Sequence, residues 1–237
     1  MSSYAIIRSR FKLWKWRLFN RQKYANDQKI FCVGRNKTGT TSIGKFLSEA
    51  GIKVGKQRPA ELMVRDLINM NYSNLEKFVR YHGVAFQDVP FSWPNIYKIL
   101  DRMFPNSKFI LTVRDSSDQW YNSVVNFNSK IFASGRLPLQ GDLKNSTYVY
   151  KGWAWEANKY LYGDRPSSEI YDKKTLVTIY ELHNKEVQEH FADRPQQLLV
   201  VNLSDKNASD QIKRFLGIED SRLTIPWENK TENVKIR

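Results

Sequence analysis

One stretch constrains the fold more than any other. An uninterrupted apolar run, Lys29-Ile-Phe-Cys-Val33, passes into Gly34-Arg-Asn-Lys37-Thr-Gly39-Thr-Thr-Ser42, and residues 42–50 then take up a helical pattern closed by Gly51. A short run without polar alternation reads as a strand buried on both faces. The glycines let the backbone turn tightly, and the helix behind them offers unpaired N–H groups with a partial positive charge. Thr40, Thr41 and Ser42 add hydroxyl donors, and Lys37 adds a full charge. Strand, glycine-bearing loop and helix in succession make an anion site rather than an ordinary Gly/Ser/Thr turn.

The rest of the chain repeats the alternation. Residues 52–54 begin a second strand or an extended loop. Helices are expected over 59–69 and 74–82, the latter stopped by Gly83. A short strand at 84–86 leads to Gln87-Asp88-Val89-Pro90, and a helix over 96–104 stops at Pro105. Lys108–Val113 is the clearest strand and ends in Arg114, before a helix over 117–126. Residues 127–165 are less regular and rich in Tyr and Trp. A helix over 175–192, a strand over 197–203 and a helix over 208–216 ended by Gly217 complete the chain. Buried strands alternating with helices predict an α/β fold, a three-layer α/β/α arrangement around a central parallel sheet. The 237 residues suffice for one such domain, placed at 29–237.

Lys and Arg number 38 against 24 Asp and Glu, a net charge of +14 that favours anionic partners without choosing among them. The basic residues are spread along the chain and no nucleic-acid motif appears, so no nucleic-acid partner is expected. Residues 1–28 read as a basic amphipathic helix, with Tyr4, Ile7, Phe11, Trp14 and Leu18 three to four apart. Such a helix packs on the domain or lies on an anionic membrane surface. No stretch approaches the ~18 apolar residues of a membrane span. Arg8, Arg10, Lys12, Lys15 and Arg17 break up any signal-peptide core. The single cysteine, Cys32, sits in an apolar run and reads as a core residue, and a cytoplasmic location is the default.

The loop departs from that of nucleoside triphosphatases, where Lys directly follows the last Gly; here Thr40 follows Gly39 and the lysine precedes it. Nor does the second long strand end in an Asp suited to Mg²⁺. It ends in Arg114, which suits a second anion and can grip a phosphate bidentately. A kinase or NTPase, and a non-catalytic basic module, remain as alternatives. An ion pair with Asp118 is the purely structural reading of Arg114.

These residues resemble the sulfotransferase family that uses 3′-phosphoadenosine-5′-phosphosulfate (PAPS), a P-loop nucleoside triphosphate hydrolase-like fold. Asn36-Lys37-Thr38-Gly39-Thr40-Thr41-Ser42 is similar to its 5′-phosphosulfate loop, with Asn in place of Pro. Arg114 followed by Ser123 resembles its 3′-phosphate motif one residue longer, with Ser116 and Ser117 as substitutes for the serine. The resemblance implies that Arg35, Asn36, Lys37, Thr38, Gly39, Thr40, Thr41, Ser42, Arg114 and Ser123 hold PAPS. Lys230 is a further candidate in the late segment that covers the nucleotide, where Trp227 either stacks on adenine or anchors the tail.

Many members of the family carry a basic His where this chain has Asp88, in Phe86-Gln87-Asp88-Val89-Pro90. Asp88 is therefore the candidate base, with capping of the next helix as its structural alternative. Gln87 is a candidate to orient the acceptor, and Glu61 and Asp66 are further carboxylates. His82 reads as a surface residue and His183 as a packed helical one. Catalysis is expected to rest on Lys37 and Asp88. The implied reaction moves a sulfuryl group to a hydroxyl or amine on a glycan, lipid headgroup or small metabolite. It leaves 3′,5′-adenosine bisphosphate and requires no metal. A fold of this type that has lost activity is the remaining possibility, given the missing His.

Overall fold

The computed structural model describes residues 23–226. Most of the basic N-terminal helix expected over 1–28, together with Trp227 and Lys230, lies outside the described residues; residues 23–27 form turns. Four strands, β1 (Ile30–Cys32), β2 (Ala85–Phe86), β3 (Lys108–Val113) and β4 (Leu198–Asn202), form a parallel sheet in the order β2-β1-β3-β4. Its continuous apolar runs follow from burial on both faces. Phe31, Val33, Phe109 and Leu111 point into one core cluster, and Ile30, Cys32 and Ile110 point into the other. Successive side chains alternate between faces, so a strand covered on both sides is apolar at most positions, with Thr112 of β3 a buried polar exception.

The larger cluster is aromatic. Phe31 sits at its centre, with ring centroids of Phe86, Phe91, Phe104 and Phe109 between 5.4 and 6.1 Å away. Each such pair contributes about 0.5–1.5 kcal/mol beyond the area it buries. The smaller cluster packs Ile43, Phe46 and Leu47 of α1 (Thr40–Glu49) and Ala208 and Ile212 of α10 (Ala208–Leu216) against the opposite face. The expected α/β architecture, a central parallel sheet flanked by helices, is the one observed.

Several boundaries differ for physical reasons. Residues 52–54 make only an isolated bridge, Val54 to Ala85, rather than a strand. The helix expected over 59–69 is two helices, α2 (Gln57–Glu61) and α3 (Val64–Ile68). The Trp153 indole N–H donates to the Glu61 carbonyl at 3.0 Å, occupying the acceptor that a continuous helix would offer to Arg65. Next come α4 (Ser73–His82), α5 (Ile96–Met103) and α6 (Ser117–Ala133), which runs well past residue 126. The supposedly irregular middle contains α7 (Gln140–Asn145) and α8 (Trp153–Tyr162), and α9 (Lys173–His190) follows. Among the described residues no helix is long and apolar enough to cross a membrane.

Candidate active site

Parallel strands bring their C-terminal ends to one edge, and the strand order puts the exit of β1 at the switch point between the two directions of winding. Asn36 and Lys37 after β1, Gln87 and Asp88 after β2, and Arg114 after β3 line one cavity of 340 Å³, together with Gly39, Thr40 and Thr41. Glu61, Trp93, Phe127, Trp153 and Asn158 contribute to its other walls.

The loop is locked in shape. Lys37 has φ 68 and Gly39 has φ 97, both left-handed. The left-handed backbone favours glycine at position 39, and a Cβ there would also have to displace Leu203 Cδ1, 2.5 Å away. Between them Thr38 is buried, its Oγ1 donating to the Arg35 carbonyl at 2.6 Å and lying 2.6 Å from Thr112 Oγ1. Helix α1 starts next with no acidic residue in its first turn, which leaves the positive end of its dipole uncompensated. Lys37 Nζ lies 4.2 Å from the centroid of the Phe127 ring. Burial lowers its pKa to about 8, against the opposing pull of Asp88.

Arg114 is tied to that loop. Its Nε donates to the Lys37 carbonyl at 2.7 Å, and its backbone N–H donates to the Tyr180 hydroxyl at 3.1 Å. The Trp120 indole donates to the Asn36 carbonyl at 2.9 Å and stacks on Tyr180 with centroids 4.4 Å apart and planes 9° apart. One aromatic pair from α6 and α9 therefore holds both the loop and the start of the segment at Arg114. Asp118, the partner of Arg114 in the purely structural alternative, binds Lys173 instead at 3.0 Å.

Asp88 has φ 59, and its Oδ1 is closed off from solvent without a hydrogen-bond partner. Burial pushes the carboxyl above the usual carboxylate range, while the Val89 N–H, Lys37 and Arg35 oppose the shift. The side chain does not cap the following helix: α5 begins after Asn95, and the Ser92 N–H donates to the Asp88 carbonyl, not its carboxyl, at 2.9 Å. Gln87 Nε2 reaches Gln57 Oε1 at 3.4 Å, and its own Oε1 is buried without a partner. Glu61 is buried beside this pair with Arg58 Nη1 2.8 Å from its Oε2. Burial raises Glu61 to about 6, with Arg58 opposing and Asp88 adding to the shift. Asp66 accepts from Asn74 Nδ2 at 2.7 Å and does not line the cavity.

Other candidates sit behind the site. Arg35 is buried, with Nη1 donating to the Ser92 carbonyl at 3.2 Å and Nη2 to the Tyr162 hydroxyl at 3.3 Å. Like Thr38, it faces into the fold. Ser42 is buried on α1 and Ser123 half-buried on α6; neither lines the cavity. Ser116 caps α6 by accepting the Gln119 N–H at 3.1 Å, and Ser117 donates to Glu181 at 2.5 Å. His183 donates from Nε2 to the Val33 carbonyl at 2.9 Å, and burial lowers it to about 3, so the imidazole is neutral. His82 is exposed, and the Cys32 thiol is a core group raised by burial to about 12. Among the described residues no cluster of three or more His, Cys, Asp or Glu is placed to hold a metal ion.

Residues 29–234 match the family model of the sulfotransferase domain. The chain belongs to the sulfotransferase family. No curated protein matches it. Three site residues of this sulfotransferase were not legible in its sequence as such: Trp120, Tyr180 and Asn158. Tyr180 and His183 lie three apart on α9, the spacing of one helix face. That periodicity was the available signal for Tyr180.

Proposed function

We propose that this sulfotransferase transfers the sulfuryl group of PAPS to a hydroxyl or amine of an acceptor bound in the same cavity. The observation that carries the reading is the convergence on one space of Lys37, the start of α1, Arg114 and an Asp88 carboxylate whose Oδ1 has no partner. Those residues fit the donor. A left-handed glycine, a helix N-terminus without acidic neighbours and a lysine suit a phosphosulfate, and an arginine held only through its Nε suits a separate phosphate.

When bound, PAPS supplies a sulfuryl group attached to a phosphate leaving group. Lys37 and the N–H groups at the start of α1 stabilise the negative charge that gathers on that phosphate as its bond to sulfur breaks. Arg114 holds the 3′-phosphate and so fixes position and selects the donor. Arg35, Thr38 and Ser42 act from behind the loop by fixing its shape. Asp88 takes the acceptor's proton as the acceptor atom bonds to sulfur. A carboxyl pushed upward by burial is a stronger base than an exposed one. The single buried thiol, Cys32, agrees with a cytoplasmic setting.

Asp88→Asn tests the assignment. Binding of 3′,5′-adenosine bisphosphate should survive, while turnover falls by about 10²–10⁴-fold. Unchanged turnover would remove Asp88 from the mechanism.

A further inference from the structure

Building on the base role given to Asp88, we infer that Arg35 is a positioning residue for the transfer step: from inside the fold it clamps the segment that carries Asp88 and supplies that carboxylate with a positive charge that the donor cannot share. Arg35 is 1% exposed and does not line the cavity, although Lys37, two residues on, does. Its Nη1 donates to the Ser92 carbonyl at 3.2 Å and its Nη2 to the Tyr162 hydroxyl of α8 at 3.3 Å. The Ser92 N–H in turn donates to the Asp88 carbonyl at 2.9 Å. From α2, Gln57 Nε2 donates to the Val89 carbonyl at 2.8 Å. Asp88 itself is left-handed at φ 59, a backbone state that a non-glycine residue keeps where its surroundings fix it. Arg35 and Gln57 hold the residues that follow it from two separate elements.

Holding the segment does not need a charge. Ser92 and Tyr162 are neutral acceptors, which a neutral donor would satisfy. Among the described residues Arg35 forms no ion pair, and its Nε has no hydrogen-bond partner. A guanidinium buried without a carboxylate is costly, and it does not shed its proton. The carboxylate that feels it is Asp88, where burial dominates and the Val89 N–H, Lys37 and Arg35 oppose it. The donor treats these two cations differently. Lys37 lines the cavity, so a phosphosulfate bound there draws on its charge. Arg35 is sealed behind the loop, so its charge stays with Asp88 whether the donor is present or not. The other titratable and charged groups around Asp88 do not take this part. Glu61 of α2 is an anion paired with Arg58 at 2.8 Å, and Arg114 after β3 lines the cavity and is open to the donor. The Cys32 thiol of β1 is raised by burial to about 12, and His183 of α9 is lowered to about 3 by burial and then by Arg35 itself, so both are neutral.

Carboxyl-carbon NMR of the full chain with isotope-labelled aspartate reads the titration of Asp88, and Asp88→Asn identifies its signal. Arg35→Met removes the charge and keeps most of the length, whereas Arg35→Lys keeps the charge. In Arg35→Met the Asp88 signal should titrate at a pH about one unit higher than in the parent protein. The difference should persist with 3′,5′-adenosine bisphosphate bound, and Arg35→Lys should bring the midpoint back toward that of the parent. An unchanged midpoint in Arg35→Met, a difference that vanishes once the bisphosphate binds, or an Arg35→Lys displaced as far as Arg35→Met would each overturn the inference. Should Arg35→Met fail to fold, Lys37→Gln decides. With Arg35 as the remaining cation behind it, Asp88 should still be ionised at about pH 7.5, and a protonated carboxyl there would overturn the inference. Unchanged turnover of Asp88→Asn would instead overturn the base reading, and with it the part of Arg35 in transfer, whatever the titration shows.

Discussion

Adding one methyl group at Gly34 tests the packing that holds the loop against the sheet. An alanine Cβ there would lie 2.0 Å from Thr112 Oγ1, 2.5 Å from the Thr112 carbonyl oxygen and 2.7 Å from its backbone nitrogen. A hydroxyl can turn away. The backbone of β3 cannot, because that strand is paired with β1 on one side and β4 on the other. Relief requires β1 and β3 to part or the loop to lift. Overpacking a tight core costs about 1–3 kcal/mol, and contact with a paired backbone puts Gly34→Ala at the upper end, about 3 kcal/mol. For a chain of this size that is a fall in Tm of about 6–12 °C. Urea denaturation followed by tryptophan fluorescence should show a lower midpoint at unchanged slope. Adding Thr112→Ala removes the Oγ1 contact but also the buried bond to Thr38, worth about 1 kcal/mol. The double variant should therefore recover little. A loss below about 0.5 kcal/mol for Gly34→Ala, or full recovery in the double variant, would refute the packing argument.

Two further outcomes follow from the site. On the roles proposed above, activity needs Lys37 protonated and Asp88 ionised. Lys37, lowered by burial, loses its charge as pH rises through about 8, and Asp88, raised by burial, loses its basicity as pH falls through a value above the ordinary carboxylate range. The kcat/KM profile should thus be bell-shaped with its alkaline limb near pH 8, and kcat should hold to higher pH because the donor's phosphates retain the lysine proton; a profile flat from 7 to 10 contradicts this. Trp120→Phe keeps an aromatic ring on Tyr180 but drops the bond to the Asn36 carbonyl, so stability should fall by about 1 kcal/mol and bisphosphate affinity by about fivefold in calorimetric titration. Unchanged affinity would show that the Asn36 carbonyl is not held in place through this bond.

Sequence was most legible where signals were local. Lys108–Val113 and Ala208–Leu216 have the expected bounds, since a continuous apolar run ends at Arg114 and a helical pattern ends at Gly217, which adopts φ 69. Helix α8 was hidden because it is buried on more than one side: Trp153, Ala154, Ala157, Asn158 and Tyr162 are all covered, and that blurs the one-sided period of a surface helix. The break between α2 and α3 depends on Trp153, which is 92 residues from Glu61. Within the site, the loop and Arg114 could be found because each is contiguous with a strand. Trp120 reaches Asn36 across 84 residues of sequence, and Asn158 enters the cavity only through the packing of α8. Arg35 and Thr38 sit inside the recognisable loop string, yet their side chains turn inward because the left-handed Lys37 and Gly39 alternate the direction of the chain there.

The account rests most directly on the anion site shared by Lys37 and Arg114. Its decisive measurement is thermal stability with 3′,5′-adenosine bisphosphate, 5′-AMP and Mg-ATP. At about 100 times its dissociation constant, a specific ligand adds about 2.7 kcal/mol, or about 5–11 °C for a chain of this size. The bisphosphate should give that shift, 5′-AMP and Mg-ATP should give much less, and Lys37→Ala or Arg114→Ala should abolish it. A shift with Mg-ATP alone, or a bisphosphate shift that survives both substitutions, would contradict the account.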